Sequence, residues 1–166
     1  MKKLIFISPE NKKPNIKGFD VELIYIDWKY KTLPDLVDEV YNRIHSKEIV
    51  YLGGFSIGAM IALILSDRLN LKKMILYSPS PFLSKTKKIS KALEEYISKK
   101  NKKIANSAKS YHLKDIIKNI QNISVDIYIG SEEFELMIEY AKELHKKIKG
   151  SSLIIIKGRS HENIYK

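Results

Sequence analysis

Tyr51-Leu52-Gly53-Gly54-Phe55-Ser56-Ile57-Gly58-Ala59-Met60 is the stretch around which the chain is organised. It reads as a strand, a very tight turn and a helix. The strand is Glu48–Gly53, a short apolar run. The turn, Gly54-Phe55-Ser56-Ile57-Gly58, has the spacing G-x-S-x-G. The helix spans about Ile57 to Leu69 and is apolar nearly all round, so it is expected to be buried.

This layout suits a serine nucleophile. A hydroxyl is a weak nucleophile and must be presented to both a base and a substrate. A sharp strand-to-helix turn lifts Ser56 above the sheet edge. Gly54 and Gly58 flank it because a Cβ at either place would clash with neighbouring backbone. The Ile57 N–H, at a helix N-terminus, points where negative charge on a substrate oxygen would develop. The competing explanation is a glycine-rich turn whose serine only caps the helix.

Composition narrows the rest. A chain of 166 residues suggests one domain, residues 1–166, around one core. Without cysteine there is no disulfide, no thiolate nucleophile and no cysteine metal site. That fits a reducing compartment, and a cytoplasmic location is the expectation. The N-terminal Leu4–Ile7 run is too short for a signal peptide, and Pro9 and Glu10 interrupt it. No stretch approaches membrane-spanning length. The net charge of +11 could mean an anionic partner. Yet Arg43, Arg68 and Arg159 are the only arginines, and nucleic-acid readers favour the arginine fork. Lysine mixed with acids over every helix reads as a solvated surface, so nucleic acid is not the expected partner.

Strands are expected at Lys3–Ile7, Val21–Ile26, Glu48–Gly53, Lys73–Tyr77, Val125–Ile129 and Leu153–Ile156. Between them run amphipathic helices: Thr32, as cap, to about His45; Lys87–Ile104; Leu113–Ile120; and Phe134–Ile148. Strands alternating with helices, each strand a continuous apolar run, predict a mainly parallel sheet in a three-layer α/β/α arrangement. The helices between the fourth and fifth strands, about residues 83–121, exceed what a minimal wound sheet needs and are candidates for a lid. From Lys85 to Lys109 there are nine lysines against Glu94 and Glu95, so the lid is basic.

A serine hydrolase needs a base and a group to orient it. His45, His112 and His145 occupy ordinary helix positions. His161 lies five residues past the sixth strand, on a loop at the carboxyl edge of the sheet, the same edge as Ser56. Ligands of wound sheets bind outside that edge. The acid is expected after the fifth strand, in Gly130-Ser131-Glu132-Glu133, where Glu133 is preferred and Glu132 is the alternative. The loop Ser78-Pro79-Ser80-Pro81 has no carboxylate to offer.

The order Ser56, Glu133, His161, each on a loop after a later strand, resembles the α/β-hydrolase family over nearly the whole chain. Gly54-Phe55-Ser56-Ile57-Gly58 is similar to its nucleophile elbow, Gly130–Glu133 to its acid turn and Gly158-Arg159-Ser160-His161 to its histidine loop. The resemblance implies a six-stranded sheet of order 2-1-3-4-5-6 and a C-terminal helix cut to about one turn. It also implies a small, nearly capless serine hydrolase that cleaves a carboxylic ester or thioester of a small-molecule acyl substrate. No cofactor or metal is implied. The family often has His-Gly after the first strand, where an N–H completes the oxyanion hole. Here Ser8-Pro9-Glu10 stands there, and Pro9 has no N–H. Ser8 or Glu10 must then join Ile57 as donor. A non-catalytic binding protein on the same scaffold is the alternative.

Overall fold

Six apolar runs become six parallel strands; the central four are buried along most of their length, and the two outermost, Phe19–Tyr25 and Ser152–Ile156, are partly exposed. The computed structural model describes residues 1–49, 51–98 and 101–165. In chain order the elements are β1 (Lys2–Ser8), β2 (Phe19–Tyr25), α1 (Leu33–Ile44), β3 (Tyr51–Phe55), α2 (Ile57–Leu65) and β4 (Lys73–Tyr77). A 3₁₀ turn (Pro81–Leu83) follows, then α3 (Lys87–Tyr96), α4 (Lys102–Ala108), α5 (Leu113–Asn119), β5 (Ser124–Gly130), α6 (Glu135–Lys147) and β6 (Ser152–Ile156). The sheet order is β2-β1-β3-β4-β5-β6, as expected, with every neighbouring pair parallel. The register pairs Phe55 with Tyr77, Tyr77 with Tyr128 and Gly130 with Ile156. The carboxyl ends of β3, β4, β5 and β6 therefore lie side by side, and the loops leaving them share one rim.

The layers differ in thickness. All residues of α2 are buried, and with Ile5, Leu52, Leu76 and Ile127 they form the centre of the main core. The buried side chains of α1 and of α3 to α6 join that same cluster. The opposite face of the sheet holds a smaller, aromatic core of Leu4, Phe6, Val21, Phe55, Ile75 and Tyr77. It is closed by Ile16 from a loop and by Ile164 and Tyr165 from the C-terminal turn. The third layer is therefore thin, and the chain's end is part of it.

Several boundaries moved for local reasons. The helix α1 is capped as expected: Thr32 Oγ1 accepts from Asp35 N, and the Asp35 carboxylate accepts from Thr32 N. The helix α2 ends at Leu65 rather than Leu69. There Ser66 Oγ donates to Leu63 O at 2.6 Å, a local bond that competes with continuing the helix. The single helix expected over Lys87–Ile104 is instead two, α3 and α4; its Lys99 and Lys100 lie outside the described residues. The break is explained by Asn101, whose Oδ1 accepts from Ser98 N at 2.7 Å and so gives that N–H a non-helical partner. The strand expected at Glu48–Gly53 begins at Tyr51 and continues to Phe55, matched to the length of β4; Val50 lies outside the described residues. No helix among the described residues is long and apolar enough to cross a membrane.

Candidate active site

Ser56 stands between β3 and α2 with φ 53° and ψ −119°. That conformation is uncommon for a residue with a side chain, and costs of order 1–3 kcal/mol. It persists because the surrounding backbone holds it. Ser56 N donates to Tyr77 O (3.0 Å), and Ser56 O accepts from Ala59 N (3.1 Å) and Ser80 N (3.2 Å). The turn closes tightly enough that a Cβ on Gly58 would stand 2.0 Å from Ile7 O. One on Gly54 would stand 2.4 Å from the Gly58 carbonyl.

His161 reaches this serine from the other end of the chain. Its Nε2 lies 3.2 Å from Ser56 Oγ, and its Nδ1 lies 3.0 Å from Glu133 Oε2. A carboxylate only accepts, so Nδ1 carries the proton in that contact and Nε2 is left to accept from the serine hydroxyl. The imidazole packs on the Phe55 ring, with centroids 4.7 Å apart. Its side chain is 21% exposed, whereas that of Glu133 is fully covered. The histidine can therefore meet a substrate and the glutamate cannot.

Burial alone would raise the Glu133 pKa. Against it stand the His161 hydrogen bond and charge, Ser78 Oγ donating to Oε2 at 2.7 Å, and Phe134 N donating to Oε1 at 3.1 Å. Together they outweigh burial and hold the carboxyl below its ordinary value. Glu132, the alternative acid, is exposed at the surface; its backbone N–H donates to Arg159 O at 2.9 Å. The geometry thus joins Glu133, not Glu132, to His161.

The loops after β5 and β6 meet backbone to backbone. A Cβ on Gly130 would stand 2.0 Å from Arg159 O. Gly158 N donates to Ser131 Oγ at 2.9 Å, and Ser160 N donates to Asn163 Oδ1 at 2.8 Å. Tyr165 then packs edge-on to Phe55 and donates its hydroxyl to Glu10 Oε2 at 3.0 Å.

Two serines of the loop after β4 belong to the site and were passed over in the sequence because that loop has no carboxylate. Ser78, buried and at φ 41°, donates to Glu133. Ser80 Oγ lies 3.2 Å from Ser56 Oγ. The available signal was position: hydroxyls directly after a central strand lie on the rim that carries the nucleophile.

Of the expected oxyanion donors, Ile57 occupies the first position of α2, where helix N–H groups lack intrahelical partners. Glu10 N donates to Ser8 Oγ at 3.0 Å. Ser8 is buried at the end of β1, and its carbonyl accepts from Ile26 N. A chamber of about 220 Å³ opens over the serine, lined by Glu10, Trp28, Ile57, Ser80, Phe82 and Tyr96. Among the described residues no cluster of His, Asp and Glu could hold a metal ion.

Neither a family model nor a curated protein matches the sequence. Solved structures do match. Est1E from Butyrivibrio proteoclasticus superposes with TM-score 0.71 at 16% identity, covering 99% of this chain and 80% of its own. A lipase-esterase related protein from Clostridium acetobutylicum gives 0.65 at 20% identity, covering 99% and 88%. A structure from work on carboxylesterases of the thaumarchaeon Nitrososphaera gargenis gives 0.64 at 15% identity, covering 99% and 84%. The chain has the α/β-hydrolase fold. In an α/β-hydrolase fold the carboxyl rim of the sheet is where ligands are expected, and here that rim holds Ser56, Ser78, Glu133 and His161. At such identities the likeness speaks to the fold, and function must be argued from the site.

Proposed function

We propose that the protein is a serine hydrolase that cleaves carboxylic esters through an acyl-Ser56 intermediate. The observation that supports this is the continuous contact chain Ser56 Oγ to His161 Nε2, 3.2 Å, and His161 Nδ1 to Glu133 Oε2, 3.0 Å.

Ser56 Oγ attacks the ester carbonyl carbon while its proton passes to His161 Nε2. The carbonyl π electrons move to oxygen. Glu133 holds the ring in the tautomer with hydrogen on Nδ1 and stabilises the imidazolium. The oxyanion takes the Ile57 N–H, a contact worth roughly 3–4 kcal/mol in comparable enzymes. Collapse breaks the bond to the leaving oxygen, which collects the proton from His161. Water then repeats the sequence on the acyl-enzyme, with His161 as base, and restores Ser56. The step calls on no metal or cofactor. A thioester would follow the same course with a thiol leaving, and is our second choice. The segment 83–121, which contributes Phe82's neighbour helices and Tyr96 at the chamber, acts as a lid. The lack of cysteine suits a reducing cytoplasm.

A fluorophosphonate probe tests the reading. It should label the wild type at Ser56 and leave Ser56→Ala unlabelled, and the wild type should hydrolyse short para-nitrophenyl esters. A wild type that is folded, unlabelled and inert to esters overturns it. That result would favour a binding protein on the same scaffold, which finds its support in the Glu10 N–H being engaged by Ser8 rather than directed at the chamber.

A further inference from the structure

The chamber over Ser56, about 220 Å³, is smaller than the roughly 300–1,000 Å³ typical of small-molecule sites. Phe82, in the 3₁₀ turn, lines it and also lines a second cavity of about 360 Å³. This second cavity lies among the 3₁₀ turn, α3 and α4. Its floor is apolar: Phe82, Leu93, Ile97 and Ala105. Its rim carries Lys85, Lys102 and Lys109, with Glu94 as the acid on the same lining.

The charges on that rim are uncommitted. Some lysines elsewhere on the surface are paired, as Lys88 is with Glu139 and Lys147 with Glu143. Among the described residues, Lys85, Lys102 and Lys109 form no ion pair and no side-chain hydrogen bond. Three lysines against Glu94 leave two positive charges over an apolar floor. Such a cavity suits neither a plain alkyl chain, which would leave the cations unused, nor a bare inorganic anion, which would leave the floor wet. It suits both ends of one molecule: an aliphatic chain buried for its apolar area, ending in an acid that meets the ammonium groups.

We propose that this second cavity receives one arm of the substrate, an aliphatic chain ending in an acidic group, while the ester lies at Ser56 on the other side of Phe82. The preferred substrates are then esters with an acidic arm. This rests on the ester-hydrolase reading and names which esters that site selects.

The test uses two arms on the full chain. In the first, the wild type hydrolyses para-nitrophenyl octanoate and the mono-para-nitrophenyl ester of octanedioic acid, which differ only in the terminal carboxylate. The expected result is a kcat/KM about tenfold higher for the acidic ester, the size of several exposed charge contacts acting together, and falling with added salt. In K102E/K109E that preference, read as the ratio of the two kcat/KM values within the variant, should vanish. K102Q/K109Q, which adds no new charge, should lose most of it too. In the second arm, octanoate binding to Ser56→Ala is measured by calorimetry, with and without the lysine changes, and binding should weaken about tenfold when they are made. Equal rates for both esters, or octanoate binding indifferent to the lysines, overturns the proposal. Lysine-dependent octanoate binding in a protein that cleaves no ester supports the cavity and sinks the hydrolase reading instead.

Discussion

Gly130 and Arg159 touch backbone to backbone, so closely that a Cβ on Gly130 would stand 2.0 Å from the Arg159 carbonyl oxygen. Glu133 follows the first residue and His161 the second. Their hydrogen bond is therefore set by the contact of two loops, not by either loop alone. Gly130→Ala should force the loops apart. The expected cost is about 3 kcal/mol in stability, the upper end for overpacking, with activity falling further than the lost folded fraction explains. Denaturant midpoints alongside kcat/KM per folded molecule check this. An alanine variant with normal activity would mean that the loops adjust freely.

Glu133 and Glu132 are neighbours with opposite surroundings. Glu133→Gln keeps the shape but favours the wrong imidazole tautomer, and a loss of about 10⁴ in kcat is expected, as in other triads. Glu132→Gln should stay within about twofold, the ordinary result for an exposed surface change. Side-by-side kinetics of the two variants decide between them.

Ser78 is fully buried, and it donates to the same Glu133 oxygen that faces His161 Nδ1. Removing it takes a donor from a buried carboxylate, so Ser78→Ala should raise the Glu133 pKa toward its ordinary value. The sign follows from linkage. A carboxyl whose folded pKa is depressed adds stability above its unfolded pKa of about 4.3, and that stability is lost as pH falls through the lower folded value. The wild type should therefore lose stability from about pH 5 downward. Ser78→Ala should lose less over that window while starting less stable at neutral pH. Unfolding free energies measured across this range, with the acid limb of the pH–rate profile moving upward in the variant, test the role. A parallel loss at every pH would reduce Ser78 to packing.

Ser56 is held at a φ that glycine adopts freely and that any residue with a Cβ, serine or alanine, adopts only at a cost. Both Ser56→Gly and Ser56→Ala should abolish fluorophosphonate labelling. Of the two, Ser56→Gly should be more stable by about 1 kcal/mol, the low end of the strain stored in such a residue. Thermal melts of the pair measure it. Equal melting temperatures would place the strain elsewhere.

Much of this was legible without coordinates. The G-x-S-x-G spacing between a strand and an apolar helix marked Ser56, and that feature is local: both glycines act on backbone a few residues away or on the adjacent strand. The strand runs and helix stripes, read in order, were enough for a mainly parallel wound sheet, and the resemblance of the three loop motifs to the α/β-hydrolase family supplied the sheet order. Tertiary structure alone decided the rest. Which of two adjacent glutamates turned inward depended on the approach of a loop nearly thirty residues later, and Ser78 and Ser80 were invisible because serines after a strand are ordinary until their partners arrive. The split between α3 and α4 followed from one asparagine satisfying Ser98 N. Periodicity records which face of a segment is buried; it does not record which polar atoms from distant segments meet there, and a hydrogen bond forms only where they do.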